Sequence, residues 1–190
     1  MRGDASRVDV VAGTAFFQDG GERIKTAAIF IHPLYDPATN DYDVAIMRLA
    51  SPSELGKAIP VTSNSPATGE NAIVSGWGAI TEGGRGSEEL LFASIPIVDS
   101  TTCNLPESYN GQITQTMLCA GKRTGGLDSC QGDSGGPLVT KVSGNATLVG
   151  VVSWGEGCAR ELKYGVYANV ASIASWLDAY AKPTKLATHN

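Results

Sequence analysis

Histidine is nearly absent from this chain: its 190 residues hold two, His32 and His189. Chemistry that needs an imidazole base has only those two places to find one. Clustered histidines and Cys-x-x-Cys pairs are also missing, which excludes a zinc site of the usual spacing, so neither a metal nor another cofactor is expected. Charge is sparse as well. Charged residues make up 17% of the chain, the net charge is -5, and Lys and Arg are scattered instead of forming a stripe. That removes the electrostatic footprint of a nucleic-acid binder. No apolar run is long enough to span a membrane, and Met1 to Val11 lacks the apolar stretch of a signal peptide. No internal repeat is visible.

A hydrophobic content of 42% is enough for one or two small domains with cores of their own. The 23 glycines, with Pro, Ser and Asn, break the apolar residues into short runs, the pattern of an all-β chain. Lys25 to His32 and Val44 to Leu49 read as strands, with Ser6 to Val11 as a weaker third. Ala50 to Glu70 is rich in Pro, Ser, Thr, Asn and Gly and reads as a linker. Beyond it come Asn71 to Trp77, Leu91 to Ile97, Met117 to Ala120, Pro137 to Lys141, Thr147 to Trp154 and Gly165 to Asn169, enough to close a small barrel. Ile173, Trp176, Leu177 and Tyr180 fall at helical spacing, with Asn169 or Ser172 as cap and Pro183 as stop. The four cysteines, Cys103, Cys119, Cys130 and Cys158, form an even set whose spacing leaves three pairings open.

Chemistry concentrates in Asp128-Ser129-Cys130-Gln131-Gly132-Asp133-Ser134-Gly135-Gly136-Pro137. A serine hydroxyl is a weak nucleophile that needs a base to take its proton and fixed donors to hold the oxyanion that forms. Gly132 allows a tight turn that aims its own N–H and that of Ser134 at one point, and Gly135 and Gly136 leave room for a substrate backbone. Alone, Gly132-Asp133-Ser134-Gly135 reads first as a Gly-rich turn capped by its Asp side chain. Its companions decide otherwise: Gly76-Trp77-Gly78, Ser153-Trp154-Gly155 with Cys158, and Gly165-Val166-Tyr167. In this order and spacing the chain resembles the trypsin-like serine protease family, over nearly all its length from about Ser6 onward.

The resemblance implies an all-β fold of two six-stranded antiparallel barrels with a C-terminal α-helix, the first barrel incomplete. Residues 1–52 would be the partial first barrel, 53–70 the interbarrel linker, 71–183 the second barrel plus helix, and 184–190 a flexible tail. It implies Ser134 as nucleophile and the N–H groups of Gly132 and Ser134 as the oxyanion hole. Asp128 would lie at the base of a pocket for Arg or Lys, with Gly155 and Gly165 as walls without side chains. Ser153-Trp154-Gly155 would pair with an extended substrate by strand addition. The disulfides implied are Cys103–Cys119 and Cys130–Cys158, the second clamping the pocket walls.

The segment from Asn40 through Leu49 resembles the family's approach to its buried triad aspartate. Asp43 is the expected residue, since it directly precedes Val44-Ala45-Ile46; Asp41 competes. His32, before Pro33, matches a solvent-facing loop position and not the base. The family's Ala-Ala-His-Cys segment and Ile-Val-Gly-Gly terminus have no counterpart here, so the likeness begins after the catalytic histidine. The expectation is part of a secreted serine endopeptidase that cleaves after Arg or Lys through an acyl-enzyme, with Met1 an internal or artificial start. Without the triad histidine the chain as given is expected to turn over little. Asp133, which in the family pairs with a terminal ammonium, would be left unpaired at a cost of several kcal/mol, by rough estimate, or its loop would rearrange, with the oxyanion hole then poorly formed as in a zymogen. Expected partners are peptide or protein substrates and protein inhibitors, with no nucleic acid and no membrane, and the complete protein would be a monomer. The alternative is a non-catalytic pseudoprotease that binds on the same scaffold. Arg2-Gly3-Asp4 resembles an integrin-binding tripeptide, and Asn145-Ala146-Thr147 is a glycosylation acceptor if the chain is secreted.

Overall fold

The computed structural model describes residues 2–142 and 144–181; Pro183, His189 and the tail 184–190 lie outside them. The all-β expectation holds: the chain forms an open four-stranded sheet, then a closed six-stranded antiparallel barrel, then a short helix. The sheet contains β1 (Arg2–Gly3), β2 (Asp9–Ala12), β3 (Glu22–Ile31) and β4 (Ala45–Leu49). The long β3 carries the others, pairing β1 and β2 at its two ends and β4 along Thr26 to Ile31. The weak strand expected over Ser6 to Val11 is split. Asp4 caps a 3-10 turn at Ala5–Arg7 by accepting from the Ser6 N–H, and the extended run starts only at Asp9.

The barrel closes in the order β10-β7-β6-β5-β8-β9. Its strands are β5 (Asn71–Gly76), β6 (Leu91–Val98), β7 (Met117–Ala120), β8 (Pro137–Val142), β9 (Asn145–Trp154) and β10 (Gly165–Asn169). Alternation fills the interior: Ala72 and Val74, Ile95 and Ile97, Leu138, Val149 and Tyr167 meet in one core. Strand β7 is buried on both faces. Leu118 and Ala120 point inward, while Met117 and Cys119 pack outward against Tyr109, Ile113 and Cys103, the last in helix α1 (Ser100–Cys103), capped by Asp99. The disulfide Cys103–Cys119 fastens that cover to the barrel wall.

The linker does not hang free. Thr62 N–H donates to Leu148 O at 3.1 Å and Leu148 N–H to Pro60 O at 2.9 Å, so the connection lies along β9. Sheet and barrel also meet through Phe17 against Trp77 and through the Trp77 indole N–H, which donates to Ala15 O at 3.1 Å. The C-terminal helix is a 3-10 turn at Val170–Ile173, capped by the Asn169 side chain, followed by α2 (Ala174–Ala181). Trp176 and Tyr180 of α2 pack on His32 and Phe30 of the sheet.

That contact corrects one expectation. His32 is only 5% exposed, stacked on the Tyr42 ring at 4.5 Å and edge-on to Trp176 at 4.7 Å. It follows the end of β3 at Ile31, one residue beyond the strand, and is not solvent-facing, because Tyr42 and Trp176 of α2 cover it. Burial pushes its pKa below the ordinary histidine value, against the opposing pull of Asp41.

Candidate active site

The barrel and its connecting loops bring three stretches of chain, around Asp128 to Ser134, Val152 to Cys158 and Gly165, to one cleft. A cavity of about 120 Å³ is lined by Asp128, Ser134, Trp154, Gly155, Cys158 and Gly165, among others. Asp128 forms its acidic end. One carboxylate oxygen accepts from its neighbour Ser129 N–H at 2.8 Å and the other from Ala159 N–H at 3.2 Å. These donors do not offset the loss of water, and burial raises the Asp128 pKa from 3.8 to about 6. A Cβ at Gly165 would fall 2.4 Å from Asp128 Oδ1, so any side chain there would displace the carboxylate. The disulfide Cys130–Cys158 joins the two loops that flank the acid.

Ser134 is exposed and lines the same cavity. Among the described residues its hydroxyl has no hydrogen-bond partner, and neither the Gly132 nor the Ser134 N–H has a protein acceptor. Gly132 has φ +97°, a backbone state that side chains disfavour and that forms the tight turn before the serine. Two unengaged N–H donors beside an exposed hydroxyl can receive the charge of an oxyanion.

Asp133 behaves differently from expectation. Its carboxylate is half-buried and accepts from Gly78 N–H at 2.8 Å and Cys130 N–H at 2.9 Å, so it is satisfied by two neutral donors instead of being left unpaired. The Asp133 backbone continues the turn, its carbonyl accepting from Gly136 N–H at 2.7 Å.

The two candidate acids of the sheet part company. Left-handed residues at Asn40 and Tyr42 fold the loop before β4 so that Asp41 and Asp43 point to different places. Asp43 Oδ2 accepts from Ser153 Oγ of β9 at 2.6 Å, at the edge of the cleft. Asp41 is bound by the hydroxyls of Thr114 and Thr116, none of the three lining the Ser134 cavity. The only histidine among the described residues, His32, is held between Tyr42 and Trp176.

Sequence reasoning missed two supports of the cleft. Tyr109 packs edge-on to Trp154 at 4.9 Å, while its hydroxyl donates to Tyr164 O at 2.6 Å and accepts from Glu156 N–H at 3.2 Å. The Ala159 N–H on Asp128 is missed too, because a left-handed alanine, here at φ +55°, carries no signal in the sequence. Among the described residues no group of His, Cys, Asp or Glu is placed to hold a metal ion.

Comparison with known proteins identifies the family of the chain. The trypsin family profile matches residues 1–177. Trypsin eta of Drosophila melanogaster is 44% identical over 163 residues, which cover 83% of this chain and 60% of that protein. Trypsin alpha-4 of Lucilia cuprina is 42% identical over 176 residues, covering 90% and 67%. Transmembrane protease serine 9 of Rattus norvegicus is 38% identical over 181 residues, 92% of this chain and 17% of that protein. The chain thus spans about three fifths of the length of trypsin eta. It belongs to the trypsin family.

Proposed function

We propose that this trypsin-family chain carries the nucleophile, the oxyanion donors and the cation pocket of a serine endopeptidase that cleaves after Arg or Lys. The observation that supports the reading most directly is that Asp128 and Ser134 line one cavity. A side chain long enough to bring its cation to Asp128 leaves its backbone carbonyl near Ser134, and the edge of β9 at Ser153-Trp154-Gly155 offers backbone groups to hold an extended peptide. Ser134 Oγ attacks that carbonyl, the Gly132 and Ser134 N–H groups take the oxyanion, and water hydrolyses the resulting ester. Asp43, anchored by Ser153, is the group that would orient the imidazole and stabilise its charged form.

Among the described residues nothing offers Ser134 an imidazole, since His32 is held between Tyr42 and Trp176, so this stretch by itself is expected to be a slow catalyst. Protein substrates and protein inhibitors that present Arg or Lys are the partners this pocket fits. Two disulfides suit an oxidising compartment, which supports an extracellular address.

The test uses the full-length protein. It should hydrolyse an arginine amide, and Ser134→Ala should abolish the reaction. Asp128→Ser should lower kcat/KM for Arg and Lys substrates by on the order of 10² to 10³, the usual cost of removing one partner of a buried charge pair. Equal rates on cationic and neutral substrates before and after Asp128→Ser would sink the specificity assignment. Unchanged turnover in Ser134→Ala would sink the mechanism.

A further inference from the structure

The loop between β5 and β6 sends one carboxylate across to the far wall of the pocket. Glu82 Oε2 accepts from Cys158 N–H at 3.0 Å and from Arg160 Nε at 2.8 Å, and Oε1 takes the Arg160 Nη2. The adjacent Gly83 N–H reaches Gln131 Oε1, another pocket residue, at 3.3 Å. None of this is needed to satisfy the core, since the Glu82 and Arg160 side chains are 37% and 52% exposed.

The consecutive amides of Cys158 and Ala159 point at two different acids. Cys158 N–H goes outward to Glu82 and Ala159 N–H goes inward to Asp128. Between them the backbone is held in an unfavourable state, with Ala159 left-handed at φ +55° and its carbonyl fixed by Gly126 N–H at 2.9 Å. One backbone N–H of this wall goes to each carboxylate, joined on Glu82 by the Arg160 guanidinium, so releasing the outer clasp would let the strained residue relax away from the inner one.

We propose that Glu82 is a positioning residue for the cation pocket: its clasp on Cys158 and Arg160 holds the wall so that the Ala159 N–H stays on Asp128. The inference rests on Asp128 being the cation-binding acid, and it adds a determinant of affinity from a separate loop. Glu82 touches no substrate in this scheme. Its effect passes through the backbone of 157–160.

The experiment uses the disulfide-bonded chain and the fluorescent cation 4-aminobenzamidine, with hydrogen exchange followed at the Cys158 amide. Glu82→Ala should weaken the probe about five- to tenfold, the worth of roughly one net hydrogen bond, and should speed exchange at Cys158 with the thermal midpoint unchanged. Glu82→Gln keeps an acceptor for the Cys158 N–H and should recover part of the affinity, which a role in bulk charge alone would not give. Asp128→Asn should abolish probe binding. Wild-type affinity in Glu82→Ala, together with loss in Asp128→Asn, overturns the clasp while leaving the pocket assignment standing. A wild-type chain that binds no probe overturns both. A collapse of the thermal midpoint in both Glu82 variants overturns the positioning role in favour of a folding one.

Discussion

The open sheet and the closed barrel are made of similar material, short apolar runs set between turns, yet they bury it very differently. Before Ala72, Ile24 is the single buried apolar residue among the described ones, whereas the barrel buries apolar side chains from every strand. Met47 of β4 remains 49% exposed and Phe17 64% exposed. Strand β4 pairs only with β3, so its other edge meets no strand of the described chain. Closure accounts for the difference: six strands that return on themselves leave no edge and give every inward residue neighbours on all sides, while an open sheet this small has one face without a cover. The two regions touch at the edge of the cleft, where Asp43, in the loop before β4, accepts from Ser153 of the barrel.

The largest test of that contrast is a matched pair of truncations. Leu138 is fully buried, and Leu138→Ala is expected to cost about 2 to 5 kcal/mol of stability in urea unfolding. Met47→Ala removes a side chain of similar size from the open sheet and is expected to cost under about 1 kcal/mol. Equal losses would mean that the sheet has a core of its own and that closure is not what separates the two regions.

Much of this contrast was legible beforehand. The apolar runs of the barrel agree with its strands within about two residues at each end, since each is cut by Gly, Pro or Asn. The motif around Ser134 and its companions pointed to the family that the profile match then showed. What local pattern could not supply were contacts between distant stretches. Asp41 is bound by Thr114 and Thr116, Asp128 by Ala159, and Glu82 by Cys158 and Arg160, and no short-range periodicity encodes any of them. His32 was misplaced for the same reason: its cover is α2, nearly the whole chain away. Asp133 was misjudged because the N–H donors that satisfy it, on Gly78 and Cys130, are backbone groups that no side-chain motif announces.

Acidity should act on the two regions in opposite directions. In the barrel, Asp128 binds its proton more tightly when folded than when unfolded, with a pKa near 6 against 3.8. Its burden is therefore absent at low pH and grows as pH rises from about 4 to 6, reaching about 3 kcal/mol by linkage. Asp128→Asn should raise stability at pH 7 by up to that amount and remove this part of the pH slope in unfolding titrations. Cation binding should follow the opposite course in the wild type, appearing as pH rises through about 6 and the carboxylate ionises. In the sheet, His32 has a lowered pKa, so its contribution is present above about 6.5 and is lost as pH falls through the folded value. Acid should thus loosen the β3–β4 and α2 contact while relieving the barrel. Hydrogen exchange at pH 5 and 7 separates the two, and a common shift in both regions would contradict the assignment.

The smallest expected effect asks whether charge substitutes for the core that the sheet lacks. Asp9 on β2 accepts from Lys25 Nζ at 3.0 Å and lies 3.8 Å from Arg23 Nη1, both on the paired strand β3. The cations are 76% and 67% exposed, so water screens them, and the side-chain order such pairs require offsets most of the attraction. Asp9→Asn is expected to change stability by under about 1 kcal/mol, less in high salt, and to leave exchange in the barrel unaltered. A larger loss confined to β2 and β3 would show that the open sheet relies on surface ion pairs where the barrel relies on closure. A loss that spread to β5 through β10 would show instead that the two regions unfold together, joined through the linker on β9 and the Asp43–Ser153 hydrogen bond. In that case the sheet's stability would set how long the cleft persists, and weakening the surface pair should reduce 4-aminobenzamidine binding in step with it.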